Sequence, residues 1–316
     1  MTHSNERGRA LEYRVTVEIE HFLRDDLRLE ILSTENTKRL NQRDKAYFEA
    51  LDELTKTDFS VCACTLIKWL KTQDWFSLAD HVTIDRFGDE KAKQADPTDI
   101  QIGISGKDGI LTIKNLSLKH HHDALKHPRL PSLAQQCGLK KDCKDDINYR
   151  KLYSQTWLSF GNKVKKLSKK IKVYKQLEPE LKFKHLYAPL MQNTVAFLLS
   201  HSKKPENAQS LFGYLVGRNN YIVIKNEPKE IVIKDFSSIS QPTKFSVVYP
   251  YKEKDNDPRN YFLLAFNNGW KIRVRIHNAS SRIFKPNGEV FATEKMDPIC
   301  VNLESLIKTE KESKIN

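Results

Sequence analysis

Apolar and polar residues alternate with a period of two in several short segments, and this pattern predicts β-strands. In DIQIGI, Ile100, Ile102 and Ile104 alternate with polar residues and a glycine. The segment ILTIKNLSLKH continues the alternation after the turn-forming residues 106–109, so the two segments predict a pair of adjacent strands. Further strands are predicted over 221–225, 230–236, 244–251 and 270–277.

Apolar residues with helical spacing predict helices around these strands. In the first helix, Leu11, Val15 and Ile19 form an apolar stripe. The predicted helices cover 6–32, 36–56, 59–72, 123–128, 163–175, 185–200 and 206–217. We therefore expect an α/β or α+β fold with a central mixed β-sheet, flanking helices and a β-rich C-terminal part. The chain either divides into 1–180 and 181–316 or forms one continuous domain.

The charge balance narrows the class of partner. The 316 residues include 53 Lys+Arg against 40 Asp+Glu, a net charge of +13. This excess favours a polyanionic partner, with nucleic acid ahead of an anionic membrane, although a basic protein without such a partner has the same composition. No apolar run approaches the roughly 18 residues of a membrane span, and no signal peptide is visible, so no membrane partner is expected. The five scattered cysteines favour a reduced, cytoplasmic protein.

A candidate catalytic pair lies on the two adjacent strands. Asp99 stands at the start of the first strand and Lys119 near the end of the second, so the two side chains can meet above the sheet. A carboxylate can hold a divalent metal ion, and a lysine beside it can orient a water and stabilise charge on a phosphate. This pair is typical of a metal-dependent phosphodiesterase. A surface salt bridge is the alternative interpretation.

Other acids and histidines near this pair are further candidates. Asp96 lies three residues before Asp99, and Glu12 lies on or near the apolar stripe of the first helix, so either carboxylate could reach a metal ion. His122 lies beside Lys119 in the sequence and is a candidate for water positioning or phosphate contact. The run of neighbouring histidines also invites a zinc interpretation, but no second cluster of cysteine and histidine completes a tetrahedral site.

Three sequence blocks resemble a known family. Pro97-Thr98-Asp99 with Ser117-Leu118-Lys119 resembles the PD-(D/E)xK nuclease pattern, with Ser117 at the position of the second acid. The run from Ser117 to Leu130, the block 8–13 and the block 269–280 are similar to type II restriction endonucleases of the HaeIII kind. The resemblance spans most of the chain in the same order.

The resemblance implies a Mg²⁺-dependent type II restriction endonuclease with a PD-(D/E)xK core, which cleaves double-stranded DNA to blunt ends at GGCC. A cognate DNA methyltransferase is then the genetic partner, and both a single chain and a homodimer stay open. Asp99 binds the metal, and either Glu12 or Asp96 supplies the missing acid or the site manages with the Leu118 carbonyl and waters. Lys119 and His122 complete the catalytic set. Residues 1–180 would form the nuclease core and 181–316 the DNA-recognition part. A nuclease of repair or mobile elements and a DNA-binding protein without activity are the alternatives.

Basic residues in three stretches are the candidate DNA contacts. The strand over 270–277 places its basic residues on one face, which suits the reading of base edges in a groove. The helix predicted over 163–175 has a basic face that suits phosphate contacts, with simple solvent exposure as the alternative. The candidate DNA-binding residues are Lys126, His127, Arg129, Lys169, Lys170, Arg273, Arg275, His277 and Asn278.

Overall fold

The computed structural model describes residues 4–25, 30–77, 80–88, 96–106, 111–120, 129–168, 170–217, 219–236, 240–251, 259–278, 280–300 and 306–310. The helices are α1 (Ser4–Asp25), α2 (Glu35–Glu49), α3 (Glu53–Lys71), α4 (Asp74–Ser77), α5 (Leu133–Gln136), α6 (Lys144–Leu167), α7 (Pro179–Lys182), α8 (Ala188–His201) and α9 (Pro205–Val216). The 3₁₀ turns are Leu130–Ser132 and Tyr174–Gln176, and Phe183–Tyr187 forms a π-helix.

The strands are β1 (Glu30–Ser33), β2 (His81–Arg86), β3 (Ile100–Ser105), β4 (Leu111–His120), β5 (Ile222–Asn226), β6 (Glu230–Asp235), β7 (Phe245–Val248), β8 (Tyr261–Phe266), β9 (Lys271–Asn278), β10 (Glu294–Cys300) and β11 (Leu306–Glu310). They form one seven-stranded sheet in the order β1-β2-β3-β4-β5-β6-β11 and one four-stranded sheet in the order β10-β9-β8-β7.

The first compact unit contains the seven-stranded sheet and comprises Met1–Asp123, Arg218–Ile239 and Leu303–Asn316. The β1–β2 and β4–β5 pairs are parallel and the other pairs are antiparallel, so the predicted mixed sheet is confirmed. Helices α1 and α3 cover one face, where their apolar side chains share a core with those of β2 to β6. Buried side chains at every second position, Ile100, Ile102 and Ile104 among them, explain the alternation in the sequence.

The second compact unit contains the antiparallel sheet and comprises Ala124–Gly217 and Ser240–Asn302. Strands β8 and β9 form a hairpin, in which Gly269 adopts a φ of 90° that a glycine allows without strain. One face of the sheet packs on α9, where the Phe212 ring lies 5.0 Å from that of Phe266. The expected β-rich C-terminal part is therefore confirmed.

The compact units run differently along the chain from the predicted parts 1–180 and 181–316, because β5, β6 and β11 return to the first sheet. The functional division into a nuclease core and a recognition part stays a prediction. Among the described residues, no helix is both long and apolar enough to cross a membrane.

Two of the predicted helical boundaries in the N-terminal region are wrong. The helix predicted over 6–32 ends at Asp25, and Glu30–Ser33 instead pairs as a parallel edge strand with β2. The backbone hydrogen bonds of that sheet edge outweigh the local helical pattern. The next helix ends at Glu49 rather than at 56, because Asp52 caps the following helix by accepting a hydrogen bond from Thr55 N at 2.9 Å.

The basic helix predicted over 163–175 is also wrong in its second half. Helix α6 ends at Leu167, and Ser168 is extended. Val173 then forms a β-bridge with Arg282, and Ile283 N donates a hydrogen bond to Lys172 O at 2.9 Å. This pairing with a segment more than a hundred positions away straightens a stretch whose apolar spacing is helical. The helix predicted over 123–128 lies outside the described residues.

Candidate active site

The pairing of β3 with β4 fixes Asp99 opposite Ser117. Asp99 N donates to Leu116 O at 2.9 Å, which extends the β3–β4 ladder by one residue. Oδ2 of Asp99 accepts hydrogen bonds from Leu118 N at 2.6 Å and from Ser117 Oγ at 3.2 Å. Ser117 is fully buried. The position at which the nuclease pattern has its second acid therefore holds a hydroxyl group that orients the first acid.

Lys119 follows on the same face of β4 as Ser117 and is half-buried. Burial raises the pKa of the Asp99 carboxyl, and the positive charge of Lys119 opposes that rise, as does the Leu118 N–H bond. The structure thus brings the Lys119 ammonium within electrostatic reach of Asp99. Their catalytic roles stay predictions.

Glu12 reaches the same place from helix α1. Its Oε2 accepts a hydrogen bond from Arg86 Nη2 at 3.0 Å. Burial raises the pKa of the Glu12 carboxyl to about 8, and the negative charge of Asp99 adds to the rise, while Arg86 opposes it. Glu12 and Asp99 therefore form a pair of neighbouring carboxyl groups, although they lie 87 positions apart in the sequence by their numbers.

Arg86 is a residue of the site that no motif in the sequence predicted. It is fully buried at the last position of β2, on the face occupied by Val82 and Ile84. Its guanidinium binds Glu12, Asp44 Oδ2 at 2.9 Å and Asn41 Oδ1 at 2.7 Å. Its position in the alternating strand could have identified it, because an inward-facing position normally holds an apolar residue and here holds an arginine.

The other candidate ligand, Asp96, accepts hydrogen bonds on both of its carboxylate oxygens. Its Oδ1 accepts hydrogen bonds from Thr98 N at 3.0 Å and Thr98 Oγ1 at 2.5 Å. Its Oδ2 accepts one from Asn219 Nδ2 at 3.0 Å. Both oxygens of Asp96 thus take part in holding the approach to β3, whereas Glu12 lies within electrostatic reach of Asp99.

A second lysine, Lys225, stands beside Lys119 in the parallel β4–β5 register. Register partners in adjacent strands share a face, so Lys225 belongs to the same polar face as Lys119 and Ser117. Lys225 is largely buried and forms an ion pair with Glu227. This register was not visible in the sequence, since more than a hundred residues separate the two strands.

The two carboxyl groups suit a hard divalent cation. In the described part of the chain, the Asp99 and Glu12 hydrogen bonds go to Oδ2 and Oε2, which leaves one oxygen of each carboxyl group for a metal ion. Mg²⁺ is usually held by one or two carboxylates together with waters and substrate phosphates, so these residues fit it. Among the described residues, no group of three or more His, Cys, Asp or Glu side chains could hold a metal ion.

The remaining candidates fall into two groups. His122, Lys126, His127 and Lys169 lie outside the described residues. Arg129 is exposed, and its Nη1 donates to Thr293 O at 3.0 Å. Lys170 is exposed in the turn after α6 rather than on a helix, which corrects its predicted setting.

Strand β9 has the predicted alternation. Ile272, Val274 and Ile276 are fully buried, whereas the basic residues between them are exposed or half-buried on the opposite face. The Arg273 guanidinium lies 5.2 Å from the centre of the Tyr261 ring. Asn278 Nδ2 donates to the hydroxyl of Tyr187, in the π-helix, at 2.8 Å. The use of this face by DNA stays a prediction.

Comparison with known proteins tests the family. A search of the curated proteins found no match. A crystal structure of the restriction endonuclease MspI in complex with its cognate DNA aligns with 90% of this chain and 97% of that chain, with 12% identity and a TM-score of 0.35. The model of the HaeIII restriction endonuclease family matches residues 8–237, which include Glu12, Asp99 and Lys119. Since that match covers well over half of the sequence, the chain belongs to the HaeIII restriction endonuclease family and is a type II DNA nuclease.

Proposed function

We propose that the protein hydrolyses phosphodiester bonds of double-stranded DNA in a Mg²⁺-dependent reaction at the site formed by Glu12, Asp99 and Lys119. The observation that carries this proposal is the approach of the Glu12 and Asp99 carboxyl groups beside the Lys119 ammonium. Asp99 raises the pKa of the Glu12 carboxyl, so ionising both acids is costly unless a cation binds between them. The proposed cofactor is Mg²⁺, because the donor set consists of oxygen atoms.

Each residue has a distinct role in this proposal. Asp99 and Glu12 are the metal ligands, with Leu118 N–H and the Ser117 hydroxyl holding Asp99 so that Oδ1 is presented. A bound Mg²⁺ would supply charge for the phosphate and acidify a water molecule. Lys119 orients the attacking water and stabilises the negative charge that builds up on the phosphate oxygens. Asp96 supports the loop before β3, and His122 is a further candidate for water positioning.

The basic residues supply DNA contacts. We assign base reading to the face of β9, where an arginine can bond a guanine edge with two hydrogen bonds. The proposed DNA-binding residues are Lys126, His127, Arg129, Lys169, Lys170, Arg273, Arg275, His277 and Asn278. The recognition site is GGCC in this proposal, and the protein acts in the cytoplasm within a restriction–modification system, together with a DNA methyltransferase. Its assembly into a homodimer belongs to the same proposal.

The test is digestion of an unmethylated plasmid that contains GGCC sites, with Mg²⁺, beside the same plasmid methylated at those sites. The expected result is a set of discrete fragments from the unmethylated plasmid alone. Discrete fragments with other ends would refute GGCC while leaving restriction intact. Cleavage that depends on branched or damaged DNA would indicate a repair nuclease, and a mobility shift without cleavage would refute the catalytic assignment.

A further inference from the structure

Arg86 is a fully buried cation at the inner face of the first sheet. Burial of a charged side chain costs several kcal/mol, about the size of a domain's whole stability, unless other groups pair with it and hydrogen-bond it. Val82 and Ile84 occupy the preceding inward positions of β2, so an apolar residue would be expected at position 86 from packing alone. The partners of Arg86 must therefore compensate for the cost of burying its charge.

Helix α2 supplies most of those partners. Asn41 Oδ1 accepts from Nη1 at 2.7 Å, and Asp44 Oδ2 accepts from Nη2 at 2.9 Å. The backbone of Arg86 is held as well, since its N–H donates to Thr37 Oγ1 at 2.8 Å and its carbonyl accepts from Asn36 Nδ2 at 2.6 Å. One helix thus fixes both the main chain and the guanidinium of Arg86.

Asp44 is shared between two arginines in this cluster. Asp44, also fully buried, accepts hydrogen bonds from Arg43 Nε at 2.5 Å and Arg43 Nη2 at 2.9 Å. Arg43 thus already pairs with Asp44, and Glu12, 3.0 Å from Nη2, is a second acidic partner of Arg86. Asn41 and Asp44 already accept hydrogen bonds from the two terminal nitrogens of Arg86, so the bond to Glu12 is additional to this anchoring. The second acid points from the cluster to the active site.

The same short segment also contacts the other acid of the site. Phe87 N donates to Asp99 O at 3.0 Å, directly after Arg86. The side chain of Arg86 thus holds Glu12, and the next backbone N–H holds Asp99. Residues 86–87 fix both acids relative to each other, which is what a two-carboxylate metal site requires, because ligand geometry within a few tenths of an ångström decides affinity.

We propose that Arg86 is a positioning residue of the nuclease, whose guanidinium, anchored on Asn41 and Asp44, fixes the Glu12 carboxylate beside Asp99 and so supplies the acid that Ser117 does not. This inference rests on the proposed function, in which Glu12 is a metal ligand. Arg86 does not touch the metal or the DNA in this role. It acts through Glu12, in the way that groups behind a metal ligand set that ligand's orientation.

The test measures metal binding rather than cleavage. Mn²⁺ is titrated into the full-length protein without DNA, and the free ion is followed by electron paramagnetic resonance, for wild type, E12Q, R86K, N41A and N36A. R86K keeps the charge but loses the planar fork that binds Glu12 and Asp44 together. N41A and N36A are a matched pair, since both remove one half-buried hydrogen bond between α2 and Arg86. Only N41A removes it from the guanidinium.

The expected Mn²⁺ affinity falls at least about tenfold in E12Q and R86K, and about threefold in N41A, while N36A stays within about twofold of wild type. Thermal unfolding in EDTA shows that each titrated variant is folded. If R86K does not fold, the comparison of the Mn²⁺ affinities of N41A and N36A tests the role of Arg86. Loss of affinity in E12Q but not in R86K and N41A overturns the role of Arg86 alone. Unchanged affinity in E12Q overturns the ligand role of Glu12 and the role of Arg86 together.

Discussion

The raised pKa of Glu12 makes a quantitative prediction about metal binding. With a pKa of about 8, Glu12 is about 0.9 protonated at pH 7 in the metal-free protein, and a metal ion can bind only to the ionised form. Binding of Mg²⁺ at pH 7 should therefore release about 0.9 proton from this group, and about 0.1 at pH 9. Asp99, whose pKa is also raised, adds to this release in the same direction.

The apparent affinity follows from the same equilibrium. Protons compete with the metal ion below the pKa, so the affinity should rise about 50-fold from pH 6 to pH 8 and less than about twofold from pH 8 to pH 9. Because the pKa of Glu12 is raised, the metal affinity should increase with pH over this range. An acid with an ordinary pKa would already be ionised at pH 6 and would give a flat profile.

The assay is isothermal titration calorimetry of Mg²⁺ binding in pairs of buffers with different ionisation enthalpies, which separates released protons from the heat of binding. The infrared carbonyl band of a protonated carboxyl group gives an independent measurement: it should be present at pH 7 without metal and weaker in E12Q. Proton release below about 0.2 at pH 7, or an affinity that is flat from pH 6 to pH 8, would refute the reasoning.

Four further predictions follow from the same residues. D99A and K119A should each lower the cleavage rate by at least about 10²–10³-fold, measured in single-turnover assays, while DNA affinity in Ca²⁺ stays near wild type. Ca²⁺ in place of Mg²⁺ should support DNA binding by fluorescence anisotropy without any cleavage on gels, and a zinc-selective chelator should change neither. In EDTA, the free energy of unfolding of wild type relative to E12Q should fall as pH rises from about 4.5 to about 8, since a raised carboxyl pKa favours the folded state only while the group is protonated. R275A should weaken binding to the cognate duplex by about 1–3 kcal/mol and binding to a scrambled duplex only little. K170A should weaken binding to both duplexes equally and lower the slope of log affinity against log salt concentration by about one. Fluorescence anisotropy at several salt concentrations measures both effects.

The part of the site on paired strands could be predicted from the sequence. The alternation around Ile100 and around Leu118 predicts the strands, and the turn-forming residue types between them predict an antiparallel pair, in which Asp99 and Ser117 do face each other. A local rule is sufficient because a hairpin brings together residues less than twenty positions apart. The buried side chains of β9 were predictable for the same reason, since the period of two survives in any sheet with one apolar face.

The non-helical segment after α6 shows where local pattern fails. Residues 163–175 have helical spacing throughout, yet Val173 pairs with Arg282. The bridge depends on a partner far along the chain, and its backbone hydrogen bonds compete successfully with a helical propensity worth only a few tenths of a kcal/mol per residue. The setting of Lys170 was wrong for this reason, because a tertiary contact decides where its backbone leaves the helix.

The second acid illustrates the same limit at the centre of the site. Spacing rules locate acids that share a strand or a hairpin. At the position where the nuclease pattern has its second acid, this chain has the uncharged Ser117. Glu12 reaches Asp99 only because α1 packs on the sheet through Leu11, Val15 and Ile19, which share the buried core with Ile100. The geometry of the two carboxyl groups therefore depends on how a helix docks, and not on a register within one sheet. A metal site needs its ligands held in place by supporting hydrogen bonds, so an acid placed on a docked helix needs an additional anchor. The guanidinium of Arg86, held by α2 on one side and bonded to Glu12 on the other, is such an anchor.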